Sequence, residues 1–307
     1  MDRTTRRRFT TLLAAAAAPV PVWNGLSARE APPAQVPGRR LQAKLDELRS
    51  AAGFPGATAA LVFPNDAVFG FASGHADLED RAAMPPDGRM LSGSTGKSFV
   101  AAVALSLARE GVLDLDAPVA EQLGSRPWFG RLPNAANLTA RLLLRHRGGL
   151  PDHVRDPRFR ATMAERMATQ GADAFFPPEE AVSFILDRAA LAAPDAEFHY
   201  SDTGYLLIGL LIEQATGQAY YGELARRLLH PLGLGFTAPA TRRRLPGLVA
   251  GYIHADDPLG MSALLPHKIA RDSVLVYNPA TEWTGGGLVT NPRDLALWAK
   301  RLYEGKA

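Results

Sequence analysis

A polar turn at residues 91–98 leads directly into an apolar helical pattern at residues 99–108. The turn carries Ser94 and, three residues later, Lys97. This spacing places a hydroxyl and an amine on one face of the first helical turn. A serine hydroxyl is a poor nucleophile at neutral pH, but a lysine whose pKa is lowered by burial can take its proton. The pattern therefore predicts a helix that begins at a reactive serine–lysine pair and a reaction through an acyl-enzyme.

A second polar segment lies about 100 residues further on, where Tyr200 and Asp202 precede the apolar pattern at residues 205–216. The phenol of Tyr200 is a candidate third member of a proton relay with Ser94 and Lys97. Each residue also has a structural explanation. The serine and the aspartate could be helix N-caps, the lysine a solvated residue and the tyrosine a partly buried aromatic. A lysine in a first helical turn opposes the helix dipole, which favours a special role for Lys97.

Composition excludes several kinds of site. The 307 residues are 47% hydrophobic, which is enough for one large domain or two closely packed lobes. The chain has no cysteine, so disulfides, thiolate nucleophiles and zinc–thiolate sites are excluded and stability must come from packing. The seven histidines show no His-Glu-x-x-His or similar spacing. We therefore expect neither a metal site nor a cofactor.

The positive charge is concentrated at the N-terminus. The formal net charge is +3, and without the four arginines at positions 3, 6, 7 and 8 and Asp2 the chain has 30 basic and 30 acidic residues. The body of the chain is therefore neutral, and we expect no nucleic-acid partner. The expected partner is a small-molecule or peptide substrate.

Residues 1–28 have a basic head with paired arginines before Phe9, followed by a short, alanine-rich apolar run. This arrangement resembles a twin-arginine signal peptide, and residues 29–37 form a Pro-rich linker after it. The alternative is a helical tail that stays attached. The apolar run is too short to span a bilayer, so no stable membrane span is expected after signal removal. These features predict an exported protein, periplasmic or extracellular.

Periodicity predicts a mostly helical chain with one β-hairpin. The hairpin consists of two apolar runs at 57–63 and 67–73 with a turn between them. Helices are predicted at these positions, each bounded by Gly, Pro, Asn or Asp: 38–53, a serine-bearing helix that runs to about 110, and roughly 139–146, 178–192, 205–216, 219–230 and 292–303.

Residues 93–98, Gly-Ser-Thr-Gly-Lys-Ser, imitate a phosphate-binding loop. However, Leu91 occupies the place where that loop needs its first glycine, and no strand of β-branched residues leads into it. A nucleotide site is therefore disfavoured. Three aromatic residues, Trp128, Trp283 and Tyr277, are candidates for a substrate groove, although buried aromatics at loop ends are the commoner explanation.

Several segments in one order resemble the serine beta-lactamase and penicillin-binding family, in particular its branch of class C beta-lactamases, D-alanyl-D-alanine carboxypeptidases and esterases. The resemblance covers residues 38–307. It is carried by the segments at 53–57, 93–99, 110–118, 142–151, 200–209, 231–234 and 285–289. It implies an α+β fold of the beta-lactamase/transpeptidase type, with a helical lobe packed on an antiparallel sheet.

The resemblance also implies the site. Ser94 is then the nucleophile, Lys97 its activator and Tyr200 the residue that passes the proton to the leaving group. Asp202, a substrate-binding position, stands where the family usually has asparagine, so an anion that can only accept replaces an amide that can donate. If Asp202 lies near Lys97, it keeps the ammonium charged and favours Tyr200 as the base. The segment at residues 146–149, His-Arg-Gly-Gly, stands where relatives commonly carry His-Thr-Ser-Gly, and His146 is interpreted as structural.

The family's last signature, Lys-Thr-Gly or His-x-Gly on a sheet-edge strand, does not occur downstream of Tyr200. The resemblance therefore predicts that the C-terminal strands are missing, that only the hairpin of the sheet is present and that the domain is truncated. The favoured function is an exported serine hydrolase acting on an amide, beta-lactam or ester carbonyl. The alternative is an impaired fragment or pseudo-enzyme that only binds peptidoglycan-like peptides or beta-lactams.

Overall fold

The computed structural model describes residues 35–254, 256–257 and 260–307. The chain divides into two compact units, residues 1–40 and 41–307. The predicted signal peptide lies outside the described residues, as does the predicted linker except for residues 35–37, which are helical. The predicted domain boundaries remain predictions.

The helices follow the apolar periodicity of the sequence. They are α1 (Gln35–Ala52), α2 (Lys97–Arg109), α3 (Ala120–Leu123), α4 (Ala140–Leu144), α5 (Pro157–Gln170), α6 (Pro178–Ser183), α7 (Asp202–Thr216), α8 (Tyr220–Leu224) and α9 (Pro292–Tyr303). A 3₁₀ turn, Gly93–Gly96, precedes α2, and a π-helical turn, Ala225–Leu229, extends α8.

The strands form small antiparallel sheets. They are β1 (Gly56–Val62), β2 (Val68–Asp77), β3 (Ala82–Ala83), β4 (Met90–Leu91), β5 (Ala238–Pro239), β6 (Ala270–Arg271), β7 (Val274–Leu275) and β8 (Leu288–Thr290). In the described part of the chain the sheet orders are β1-β2-β3, β4-β8-β5 and β6-β7. Strand β8 is buried along its whole length and joins β4, just before the Ser94 turn, to a distant part of the chain.

Helix α7 is the centre of the hydrophobic core. Every residue from Thr203 to Ile212 is buried, so the helix packs on all sides. It begins where the Ser201 hydroxyl accepts a hydrogen bond from the Gly204 N–H, and it ends at Gly217, whose φ of 65° favours glycine. Helix α2 packs against it, and Phe99 at the start of α2 stacks on Trp298 of α9 with ring centroids 4.0 Å apart. These contacts fix the start of both α2 and α7, where the candidate site residues lie.

The β1–β2 hairpin packs against α9. Its register pairs Gly56 with Gly74 at one end and Val62 with Val68 at the turn. At that turn Asp66 forms ion pairs with Lys300 and Arg301 of α9, the latter at 2.7 Å. The hairpin thus gains a helix that covers it, which a two-stranded unit needs to be stable in water.

Most predicted elements are confirmed. The structure contains the hairpin, α1, α2, α4, α7 and α9 within a few residues of the predicted bounds. The prediction for 178–192 is too long, because the helix ends at Ser183 and turns follow it. Helix α5 was not predicted, although Asp156 caps it and Pro157 occupies its first turn. The expectation that only a hairpin forms the sheet is wrong, since β3 pairs with β2. The missing C-terminal strands remain a prediction.

Candidate active site

Ser94 and Lys97 occupy consecutive short elements with opposite exposure. Ser94 is exposed within the 3₁₀ turn Gly93–Gly96, whereas Lys97 is buried as the first residue of α2. Lys97 Nζ lies 3.3 Å from Ser94 Oγ. The cap of α2 is Gly96, and no side chain caps it, so neither Ser94 as an N-cap nor Lys97 as a solvated residue describes this turn.

A glycine-rich segment after Trp283 packs directly against the Ser94 turn. A Cβ on Gly286, whose φ is 139°, would lie 2.2 Å from the Gly93 carbonyl oxygen, so this position requires glycine. The Ser92 hydroxyl donates to the Gly286 carbonyl at 2.7 Å. On the other side, a Cβ on Gly209 of α7 would lie 2.6 Å from the Trp283 ring. The segment therefore lies between α7 and the Ser94 turn.

Lys97 is surrounded by acceptors from three parts of the chain. Its ammonium donates to the Gly285 carbonyl at 2.5 Å and forms an ion pair with Asp202. It also lies 5.0 Å from the centre of the Tyr200 ring. The side chain of Lys97 is 6% exposed and that of Asp202 is 21% exposed, so solvent screens this pair only partly.

These contacts decide the charge of Lys97. Burial is the largest single influence and lowers its pKa, but the charge of Asp202, its hydrogen bond and the contact with Tyr200 together outweigh burial. The net pKa of Lys97 is raised. The amine is therefore an ammonium ion at neutral pH, and it is not available to take the serine proton without losing that charge.

Tyr200 contacts the serine more closely than Lys97 does. Its hydroxyl lies 2.7 Å from Ser94 Oγ. The ring stacks on His146, with centroids 4.3 Å apart, and His146 Nδ1 accepts a hydrogen bond from the Ser201 N–H at 3.2 Å. Burial, with the charge of Lys97, lowers the pKa of His146, so the ring is neutral at neutral pH. His146 thus holds Tyr200 in place, which agrees with its structural interpretation.

Two further carboxyl groups, those of Asp152 and Glu282, lie near enough to Asp202 for its charge to act on them. Burial, together with repulsion from Asp202, raises the pKa of Asp152 to about 6 and that of Glu282 to about 7. Asp152 accepts a hydrogen bond from the Val154 N–H at 3.2 Å. The next residue after Glu282, Trp283, has a φ of 37°, which is strained for a non-glycine residue. Sequence reasoning missed both acids, because their only local signal is proximity to the segments 142–151 and 285–289.

A cavity of about 370 Å³ opens beside Ser94. We call the part of its lining that Ser94, Asp202, Glu282 and Gly285 form the polar end. We call the part that its apolar side chains form the apolar end: Val154, Phe159, Met163, Met167, Ala174, Ile253, Met261, Leu264, Leu265 and Ile269. Such a volume accommodates a small organic ligand.

The groove predictions for the aromatic residues have different outcomes. Tyr277 lines the cavity. Trp128 donates to Glu179 at 3.0 Å and Trp283 packs on α7, and neither lines this cavity.

In the described part of the chain, no three histidine or acidic side chains are arranged to hold a metal ion. Within those same residues, no helix combines the length and apolar character of a bilayer span.

A protein-family model matches the part of the chain that contains this site. The model described as Beta-lactamase matches residues 41–307. The chain belongs to the beta-lactamase family. This family of serine hydrolases has the α+β, beta-lactamase/transpeptidase-like fold that the resemblance implied, and that fold is confirmed.

Relatives within the beta-lactamase family include penicillin-binding proteins. The chain is 30% identical over 239 residues to penicillin-binding protein 4 of Amycolatopsis lactamdurans, covering 74% of this chain and 57% of that protein. It is 24% identical over 246 residues to penicillin-binding protein 4* of Bacillus subtilis, covering 78% of this chain and 50% of that protein. The chain thus spans about half the length of these curated relatives.

Solved structures of the beta-lactamase family give the same fold. The D-amino acid amidase from Ochrobactrum anthropi SV3, in complex with D-phenylalanine, has a TM-score of 0.72 at 30% identity and covers 88% of this chain and 71% of that one. The D-stereospecific amidohydrolase from Streptomyces sp. has a TM-score of 0.71 at 26% identity, with 86% and 74% covered.

The structure brings together all four residues that the sequence singled out. Ser94, Lys97 and Tyr200 lie within hydrogen-bond or ring-contact distance of one another, and Asp202 forms an ion pair with Lys97. Asp202 is the first residue of α7, and its cap is Ser201. The N-cap explanation for Asp202 is therefore wrong. The catalytic and substrate-binding roles of the four residues are taken up as proposals below.

Proposed function

We propose that this chain hydrolyses an amide, beta-lactam or ester carbonyl through an acyl-enzyme on Ser94. The observation that carries the proposal is the 2.7 Å contact between the Tyr200 and Ser94 hydroxyls, with the Lys97 ammonium beside both. A nucleophile within hydrogen-bond distance of a group that can take its proton is the arrangement that acyl transfer needs.

In the proposed reaction Tyr200 acts as the base. With the Lys97 ammonium beside it, the Tyr200 oxygen, in its phenolate form for this step, takes the proton of Ser94 as the serine oxygen attacks the carbonyl carbon. A C–O bond to Ser94 forms, the bond to the leaving group breaks, and the Tyr200 proton passes to the departing amine or alcohol. Water then attacks the ester, gives its proton to Tyr200 and releases the acid, while Ser94 regains its proton.

The Asp202 carboxylate fits this division of roles. It pairs with Lys97 and keeps the lysine charged, so the lysine serves as an electrostatic partner of Tyr200. The sequence-based hypothesis that Asp202 favours Tyr200 as the base rests on this proximity. The backbone N–H of Ser94 has no acceptor among the described residues, so it is free to donate to the carbonyl oxygen that becomes negative during attack.

The substrate class of the chain is proposed from its cavity and its relatives. The cavity beside Ser94 has space and apolar surface for a small substrate with an apolar group. Relatives with this fold include a D-amino acid amidase and a D-stereospecific amidohydrolase, which supports an amide or an ester of small size as the substrate.

Burst kinetics test this function. With p-nitrophenyl acetate, we expect a rapid release of about one p-nitrophenolate per protein molecule, followed by slower turnover. Mass spectrometry of the acid-quenched protein would place the acetyl group on Ser94. Ser94→Ala removes both signals, and Ser183→Ala, a serine on α6 that lies outside the site, retains them. A chain that only binds such ligands would give neither a burst nor an adduct, and that result would contradict the proposal.

We also propose that the protein is exported. The support is the twin-arginine pattern within residues 1–28, which lie outside the described residues. Fractionation of bacteria that express the full chain would test this. We expect the mature protein outside the inner membrane, and Arg6→Lys/Arg7→Lys should retain it in the cytoplasm with its leader uncleaved.

A further inference from the structure

Glu282 is a carboxyl group at the reactive end of the cavity that the proposed mechanism does not use. It lines the same cavity as Ser94 and Asp202. Asp202 has Lys97 as its partner, and Asp152 accepts from a backbone N–H, whereas the Glu282 side chain has no hydrogen bond or ion pair with any described residue. Partial burial of an acid without a partner is unfavourable, so this position calls for an explanation.

Glu282 is tied closely to the reacting groups. The Gly285 N–H donates to the Glu282 carbonyl at 2.5 Å, and the Gly285 carbonyl in turn accepts from Lys97. One short turn of backbone therefore separates Glu282 from Gly285, whose carbonyl accepts the hydrogen bond from Lys97. A substrate whose carbonyl reaches Ser94 therefore occupies the cavity that Glu282 and Gly285 also line.

The charges around Glu282 leave it available for a cation. Lys97 is neutralised by Asp202, and these are the two charges that influence the pKa of Glu282. Arg160 on α5 also lines the cavity, and its charge contributes to the lowered pKa of Asp257. A metal ion needs more ligands than one carboxylate, and the described residues contain no such group.

We propose that Glu282 binds a protonated amine of the substrate while the apolar end of the cavity takes the substrate's side chain. The substrate class is then an amide or ester of an amino acid with a free amine and an apolar side chain. This inference rests on the proposed function, because it assigns the substrate of the same site. Glu282 is a specificity-determining residue here, and the chemistry stays with Ser94 and Tyr200.

The kinetic test uses two substrates that differ in the amine alone: phenylalanine p-nitroanilide, as both enantiomers, and 3-phenylpropanoyl p-nitroanilide. We expect the wild type to prefer the better of the two phenylalanine enantiomers over the amine-free anilide by at least tenfold in kcat/KM. Glu282→Gln should lower kcat/KM for that substrate by about 10- to 100-fold, the range of a hydrogen bond to a charged group. The amine-free substrate should change by less than twofold. Glu165→Gln, an exposed acid on α5, is the matched control.

Binding of 2-phenylethylamine to Ser94→Ala tests the amine site without turnover. We expect binding at least tenfold tighter than that of 2-phenylethanol, and loss of this preference in Ser94→Ala/Glu282→Gln. A wild type without amine preference, or an equal loss for both anilides in Glu282→Gln, would overturn the inference and leave the proposed function standing. If neither anilide is hydrolysed and no burst is seen, the proposed function fails, and the amine titration still decides the role of Glu282.

Discussion

The two ends of the cavity beside Ser94 are built in different ways. Next to Ser94 and Asp202 of the polar end, Lys97 and Tyr200 are each fixed by directional contacts with side chains or backbone from distant segments. At the apolar end, Met163, Met167 and Met261 are held by dispersion contacts, and methionine adapts its shape readily. The difference indicates that the proposed reaction depends on fixed geometry at the polar end. The side chain that the substrate places at the apolar end can vary without disturbing the chemistry.

The largest expected effect comes from breaking the polar end at Tyr200. Tyr200→Phe removes the hydroxyl that contacts Ser94 and keeps the ring that stacks on His146. We expect kcat/KM for p-nitrophenyl acetate to fall by about 10²- to 10⁴-fold, the usual contribution of a general base, with little change in Tm. Tyr303→Phe is the control, since Tyr303 is 91% exposed. A loss of less than tenfold would transfer the role of base to Lys97.

A smaller effect is expected when the charge pair at the polar end is broken. Asp202→Asn removes the charge that offsets burial at Lys97. The pKa of Lys97 therefore falls, and the lysine can lose its proton nearer to neutral pH. We expect the alkaline limb of the kcat/KM profile to move to lower pH. The free energy of unfolding, from urea titration at pH 7, should fall by about 2 kcal/mol.

The pH dependence of that stability difference follows from the raised pKa of Lys97 in the wild type. A raised pKa stabilises the folded state fully below the unfolded value of about 10.4, and the stabilisation is lost as the pH rises through the folded value. The gap between wild type and variant should therefore be largest near neutral pH and close in strongly alkaline solution. Asp187→Asn, which breaks the exposed pair with Arg131, should show a change below about 1 kcal/mol. An unchanged rate profile in Asp202→Asn would remove Asp202 from the mechanism.

The smallest effect is expected at the apolar end. Met167 is partly buried and lines the cavity. Met167→Ala should raise KM for p-nitrophenyl 3-phenylpropanoate by about 3- to 10-fold, because part of the apolar contact is lost, and leave kcat unchanged. The KM for p-nitrophenyl acetate, which is too short to fill that end, should stay constant. Equal changes for the two esters would mean that the ends are coupled, which would contradict the comparison above.

Local signals in the sequence were sufficient for the elements whose apolar periodicity is strong and whose ends are marked. Helix α9 is an example, since Asn291 caps it and Pro292 occupies its first turn. The same kind of signal at Asp156 was overlooked for α5. The pairing of β4 with β8 joins positions about 200 residues apart through strands of two and three residues, which carry no usable periodicity.

The residues of the proposed relay could be found from sequence because Ser94 and Lys97 are neighbours in one turn and Tyr200 stands in a recognisable segment. Glu282 and Asp152 could not be found in this way, because their properties arise from burial beside Asp202 and not from their neighbours in the chain. The sequence predicts a charged Lys97 only on the condition that Asp202 lies close to it. The structure meets that condition, because the two side chains form an ion pair.

The contact between Lys97 and the Gly285 carbonyl spans 188 positions of the chain, and that between Ser92 and Gly286 spans 194. During synthesis the ribosome produces the serine turn long before the segment that supports it. Ser94 therefore stays without these supporting contacts for most of translation, and the proposed site is complete only when the glycine-rich segment has emerged and docked.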